Sequence, residues 1–292
     1  MKRYQAQDIS FYITNVCNLT CNHCESFNNF AFKGHYRWKD YQEVFRKWSE
    51  ILSIEMINIH GGEPITNPDI VNWAIGIKEL WPDADEYYVS SNGTLLKHKI
   101  ETTRQLVNLG YNIDIVIHDP EHRQPVLDSI HKILEHHDYI IDDEADPVKN
   151  RHEYIDKHTG QNLMSIEEAF VFRQNSINEI KDRVIHMHRS DPVEAHRICF
   201  NDVDEQCWGF FKGRLYKCYL TGIAEDLVKQ FDIEPEAKEL LLKYKPGWPY
   251  DDEKTLDNFF ENLPNHLEQC TLCPDFENCS NIFPMPNKKV KI

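Results

Sequence analysis

Four times between residues 8 and 137, a short run of strand-forming residues gives way to a longer run with helical spacing. The strand runs are "DISFYIT" (8–14), "IEMINIH" (54–60), "EYYVS" (86–90) and "NIDIVIH" (112–118). After the first, "RWKDYQEVFRKWSEIL" (37–52) sets Trp38, Tyr41, Val44, Phe45, Trp48 and Ile51 at the spacing of one helical face. Asn67-Pro68 reads as an N-cap followed by proline at the first helical position, opening a helix to about Trp81. A third helix runs from Leu95 to a glycine C-cap at Gly110. A fourth covers 122–137, where the apolar spacing of "HRQPVLDSIHKILEHHD" leaves the histidines on a solvated face. Parallel strands need a crossover between them, and a helix is the usual one. The alternation therefore predicts an α/β chain with a parallel sheet. The loops after the strands lie where parallel architectures place their active sites.

Beyond residue 140 the rhythm breaks. Residues 141–165, "IDDEADPVKNRHEYIDKHTGQNLMS", are polar and read as a surface excursion before a fifth unit at roughly 166–188. From about residue 195 the character changes again. "WGFFKGRLYKCYL" (208–220) reads as a hairpin turning at Lys212-Gly213, with short helices after it. No internal repeat or low-complexity tract is present.

The chain of 292 residues, 41% hydrophobic, can hold one large domain or one domain and a smaller one. Its 48 acidic against 32 basic side chains give a formal charge of −16, which removes the basic surface a nucleic-acid partner needs. Lys288, Lys289 and Lys291 make a solvated basic tail. No stretch approaches the ~18 apolar residues of a membrane span. The first sixteen residues lack the apolar core of a signal peptide. The expectation is a cytoplasmic protein with neither membrane nor nucleic acid as partner. In a reducing compartment, clustered cysteines bind metal or do redox chemistry more often than they form disulfides.

Three of the nine cysteines, Cys17, Cys21 and Cys24, crowd the loop after the first strand, and the other six lie beyond residue 198. Four cysteines normally hold a [4Fe–4S] cube, so three leave one iron open. An open position lets a metal act on a bound molecule. A zinc knuckle completed by His23 or His60 is the alternative, but it leaves "GGEP" and the strand–helix alternation without explanation.

Cys17-x3-Cys21-x2-Cys24, "GGEP" (61–64) ending the second strand and "SNGT" (91–94) after the third resemble the radical SAM superfamily in order, spacing and strand context. His23 stands where that pattern has an aromatic residue. The resemblance implies a partial (β/α)6 TIM-like barrel over residues 1–190. It implies a [4Fe–4S] cluster on Cys17, Cys21 and Cys24 whose open iron chelates S-adenosylmethionine (SAM). Reductive cleavage then yields a 5′-deoxyadenosyl radical that abstracts hydrogen from substrate. It places Gly61, Gly62, Glu63, Ser91 and Asn92 at SAM, with Glu63 accepting from the methionine ammonium. Many relatives carry a ribose-binding serine on the fourth strand. Here the segment reads "DIVIHDP", which leaves His118 or Asp119 as substitutes.

Cys199-x13-Gly213-x4-Cys218, followed by Cys270-x2-Cys273-x5-Cys279, resembles the SPASM and twitch domains of the same superfamily. That resemblance implies a small cysteine-rich auxiliary domain over 191–292. Six thiols ligate one cube fully but not two, which points to one auxiliary [4Fe–4S] cluster. The preferred set is Cys199, Cys218, Cys270 and Cys273. Cys207 and Cys279 can each replace one member, and spacing does not choose among them; a zinc ribbon is the alternative. The implied function is oxidation or other modification of a sugar-like small molecule. A reduced flavodoxin or ferredoxin would serve as electron donor. A peptide-modifying enzyme and a zinc-stabilised binding module are the alternatives. No catalytic acid or base follows from the sequence.

Overall fold

The computed structural model describes residues 3–30, 32–146, 151–169, 171–199, 207–279 and 282–284; the side chains of 144–146, 171–173, 207, 278, 279 and 282–284 lie outside that description. The expected alternation is present. It runs β1 (Tyr4–Tyr12), α1 (Trp38–Ile51), β2 (Leu52–His60), α2 (Ile70–Leu80), β3 (Glu86–Ser91), α3 (Ile100–Asn108), β4 (Asn112–Ile117) and α4 (Arg123–Ile133). The second helix opens at Ile70, later than expected. The Asn67 side chain donates to the Ile13 and Tyr36 carbonyls at 2.8 and 3.0 Å and accepts from Asp69 N at 2.9 Å, so it fixes the preceding turn. Gly110 ends the third helix as read, with φ +84° and its N–H on the Val107 carbonyl.

Residues 141–165 do not form an excursion. The described ones fall in β5 (Tyr139–Asp146), β6 (Arg151–Asp156), β7 (Asn162–Glu168) and the turn between the last two, with β7 parallel to β4 and β5–β6 an antiparallel edge. Nor do the described residues of the fifth unit, expected at roughly 166–188, include a helix. Residues 171–187 form β8 (Val171–Arg173) and the hairpin of β9 (Ile177–Lys181) and β10 (Val184–Met187). After α5 (Pro192–Arg197) come β11 (Cys207–Phe211) and β12 (Arg214–Tyr216), joined by Lys212 at φ 51° and Gly213 at φ 78°. Two left-handed central residues make the tight hairpin turn predicted there. The hairpin joins the main sheet, where β11 pairs in parallel with β1. The sheet order is β12-β11-β1-β2-β3-β4-β7-β6-β5, six parallel strands with antiparallel strands at both edges. The chain continues through α6 (Tyr219–Gln230), β13 (Asp232–Ile233), α7 (Pro235–Lys243), α8 (Glu253–Asn262), α9 (Phe276–Cys279) and β14 (Ile282–Pro284). Among the described residues no helix is long and apolar enough to cross a membrane.

One face of the sheet is apolar. Ile9, Phe11, Ile57, Ile59, Val89, Ile113 and Ile115 are buried with Trp48, Trp73, Ile77, Leu106 and Ile130 of the crossover helices. A fully covered parallel sheet is apolar on both faces. This one alternates instead, and its second face carries a hydrogen-bonded polar lattice. Asn58 Nδ2 donates to Ser10 Oγ at 3.3 Å and Ser90 Oγ to Asn58 Oδ1 at 3.1 Å. Ser165 Oγ and Arg151 Nη1 both reach Asp114 Oδ1, at 2.6 and 2.9 Å.

A second apolar cluster lies between the two cysteine-bearing regions. Phe27, Phe30 and Phe32, just past Cys24, pack with Leu220, Ile223 and Leu227 of α6 and with Leu272. Cys218 and Cys273 rest against this cluster.

Candidate active site

The loop carrying Cys17, Cys21 and Cys24 leaves the carboxyl end of β1 and is fastened to the turn after β2. Gly62 N donates to the Thr14 carbonyl and Glu63 N to the Val16 carbonyl, both at 2.8 Å. The contact demands glycine. A Cβ on Gly62 would lie 2.4 Å from Val16 O and 3.0 Å from Cys17 N; one on Gly61, at φ +153°, would lie 2.6 Å from Thr14 O.

Glu63 is 0% exposed. Its carboxylate accepts Ser91 Oγ at 2.9 Å, Asn92 N at 2.8 Å and Ile65 N at 3.1 Å. Burial pushes its carboxyl up to about 7, against those three hydrogen bonds, which favour the ionised form. The folded chain therefore holds an extra proton between about pH 4.5 and 7, and stability falls as pH rises through that window. The expected loss is about 3 kcal/mol. Denaturant unfolding at pH 5 and pH 7 checks it: about 2 kcal/mol of that loss falls between the two, and the difference should shrink by that amount in Glu63→Gln, whose side chain does not titrate.

Asn92 Nδ2 lies 3.9 Å from Cys17 Sγ and donates to Asn18 Oδ1 at 3.1 Å, while Asn18 Nδ2 donates to Thr94 Oγ1 at 2.6 Å. The turns after β1, β2 and β3 are thus joined, and Gly61, Gly62, Glu63, Ser91 and Asn92 meet beside Cys17. Burial, then the Glu63 carboxylate and the neighbouring thiols, push Cys17 up; burial and Cys24 push Cys21 up to about 12. Burial also raises Cys24. Bare, these three sulfurs stay protonated; a bound cationic metal is what turns them into thiolates.

The histidines of the sequence reading go elsewhere. The His23 side chain hydrogen-bonds Asn175. The His60 ring lies 5.0 Å from that of Tyr219, and burial lowers its pKa to about 4. His118 Nδ1 is 3.2 Å from the Ala169 carbonyl, and Asp119 accepts from Glu121 N at 2.9 Å within its own turn. Among the described residues no set of three or more His, Cys, Asp or Glu side chains is arranged to hold a single ion. A cube asks for a different spacing, because it spreads its thiolates over four irons. Three adjacent sulfur donors beside a glycine-cleared backbone and a polar turn fit the cluster and its ligand.

A cavity of about 110 Å³ has Cys199, Cys218 and Cys273 in its wall, with Glu25, Asn175 and Tyr219. Burial raises Cys273, and Cys218, Cys199 and Cys270 each add to that rise, so the four are neighbours. The side chains of Cys207 and Cys279 lie outside the described residues. The sequence reading missed Asn175, Asn18, Thr94 and Tyr219. Asn18 and Thr94 lie inside the cysteine and "SNGT" motifs and were legible as their polar company; Asn175 carries no local signal.

The sequence model of the Radical SAM superfamily matches residues 11–164, and the chain belongs to that superfamily. Membership brings with it a [4Fe–4S] cluster and SAM and sets aside the zinc-module reading. No curated protein matches the chain at a significant level. Among solved structures, BtrN in complex with AdoMet and 2-DOIA is similar at 20% identity over 40% of this chain and 47% of that one, with a TM-score of 0.31. Native anSMEcpe with bound AdoMet is 14% identical over 44% of this chain and 41% of that one, with a TM-score of 0.35. Streptococcus suis SuiB bound to precursor peptide SuiA is 18% identical over 43% and 37%, with a TM-score of 0.26. The match spans less than half the length of each of these chains.

Proposed function

We propose that this chain oxidises, or otherwise modifies by hydrogen abstraction, a sugar-like small molecule, using SAM and one auxiliary [4Fe–4S] cluster. The observation that carries the reading is the junction of the turns after β1, β2 and β3, where three thiols, two close-packed glycines and the Asn92 carboxamide meet. When bound there, the cluster and SAM supply a 5′-deoxyadenosyl radical that removes a hydrogen atom from substrate. Cys17, Cys21 and Cys24 would hold the cluster. The Gly61–Gly62 backbone and Ser91–Asn92 would orient SAM, and Glu63 braces that turn from beneath. The polar second face of the sheet supports a hydroxyl-rich substrate, because Ser, Asn, Asp and Arg side chains line it where a site for an apolar ligand is lined mostly by apolar ones. Cys199, Cys218, Cys270 and Cys273 would hold the auxiliary cluster. The functional division falls near residue 190, although β11 ties the later segment into the main sheet. A reduced flavodoxin or ferredoxin in the cytoplasm would supply electrons.

Anaerobic reconstitution with iron and sulfide tests this. The protein should take up about eight irons and form 5′-deoxyadenosine from SAM with dithionite. Cys273→Ser should lower the count toward about four and spare SAM cleavage. Reconstituted protein that never cleaves SAM removes the proposal.

A further inference from the structure

Cys24 sits in an awkward stretch of backbone. His23 has φ 53° and Phe27 φ 57°, left-handed values that side-chain-bearing residues adopt only when their surroundings hold them there. Past the cysteine, Phe27, Phe30 and Phe32 are anchored in the apolar cluster. Phe27 N donates to the Cys24 carbonyl at 3.0 Å from within the loop, and a second donor reaches the same carbonyl from outside it. Asn175, 9% exposed, donates from Nδ2 to the Cys24 carbonyl at 3.1 Å, and its side chain hydrogen-bonds the His23 ring. Its Oδ1 accepts from Ile177 N at 3.1 Å, which ties it to the start of β9. Its own backbone hydrogen-bonds the buried His188 ring. The same residue lines the cavity with Cys199, Cys218 and Cys273.

We propose that Asn175 is the positioning residue for Cys24: it sets the backbone that aims the third N-terminal cysteine and keys that loop to the wall of the auxiliary cysteine cavity. The inference rests on the cluster assignments proposed above. A buried amide with both of its ends committed, one to the Cys24 loop and one to the start of β9, has a fixed orientation. The carbonyl of Cys24 is thereby fixed too, and with it the direction of the cysteine side chain. Groups behind metal ligands act in this way, orienting the donor without touching the metal.

The test uses Asn175→Asp. Aspartate keeps the acceptor for Ile177 N but removes the donor to the Cys24 carbonyl and sets a carboxylate oxygen against it. Wild type and variant are reconstituted anaerobically and reduced with dithionite. Iron is counted, and electron paramagnetic resonance spectra are recorded as SAM is titrated. The SAM-dependent change reports the N-terminal cluster, and the SAM-independent signal reports the auxiliary one. The variant is expected to need at least about tenfold more SAM for the same change, or to lose iron from that site, with the auxiliary signal unaltered. Asn175→Ala, which removes all the side chain's hydrogen bonds without adding a charge, should show the same selective loss. A variant that titrates like wild type overturns the inference. So does loss of both signals together in both variants, which would make Asn175 a general structural residue. A wild type whose spectrum ignores SAM would instead sink the radical SAM assignment of the site itself.

Discussion

Replacing Cys17, Cys21 and Cys24 together by alanine is expected to abolish formation of 5′-deoxyadenosine while leaving about four irons on the chain. The argument is one of donors. Each of these sulfurs is buried enough to stay protonated unless a metal claims it. Asn92, whose Nδ2 lies 3.9 Å from Cys17 Sγ, presents a carboxamide nitrogen, which is no substitute for a thiolate. The second apolar cluster, built on Phe27, Phe30 and Phe32, does not depend on the thiols, so the loop keeps its anchor in the triple variant. Iron analysis and chromatography of the SAM products after reconstitution decide the matter. Product formation at the wild-type rate by the triple variant would refute the site.

Gly62→Ala is expected to damage the same site with no change in any donor. The new methyl would stand 2.4 Å from Val16 O, 2.7 Å from Val16 C and 3.0 Å from Cys17 N. All three are backbone atoms, so no rotamer change relieves the contact, and the turn after β2 must withdraw from the cysteine loop. Overpacking of this kind costs about 1–3 kcal/mol. It would break the Gly62–Thr14 and Glu63–Val16 hydrogen bonds that fasten the loop. Loss of SAM cleavage should accompany a lowered unfolding midpoint. Gly160→Ala is the control: its Cβ meets nothing within 4 Å, so only the left-handed φ of +72° is penalised. Gly160→Ala should leave SAM cleavage intact, and equal damage from both substitutions would contradict the clash argument.

Much of this was legible in the sequence because the informative parts obey local rules. The first four strands alternate, with every second residue entering the helix-covered core, and the helices repeat at helical spacing. The Gly61-Gly62-Glu63 and Ser91-Asn92 turns follow neighbouring parallel strands, so their meeting could be anticipated from strand order alone. The segment 141–165 was misread for a physical reason. Strands at an edge or on a polar face need no apolar alternation, and "IDDEAD" and "RHEYID" pair through backbone and through polar contacts such as His152 with Asp143, while Arg151 reaches Asp114 of β4. Helix 70–80 was placed early because Asn67 looks like a cap, yet its amide is spent on the Ile13 and Tyr36 carbonyls. Asn175 lay beyond reach. Its partner Cys24 is 151 residues away, and a side chain that bonds a distant carbonyl leaves no spacing to detect.

The parallel pairing of β1 with β11 also governs how the chain can fold. The two strands are joined by about two hundred residues, and parallel pairs so distant in sequence form slowly because loop closure precedes their contacts. On a ribosome, the first strand would emerge long before its outer neighbour exists. Until Cys207–Phe211 is made, β1 stands as an unprotected edge, the kind of surface that invites pairing with other chains. The main sheet is therefore completed only after the chain has been translated past Phe211.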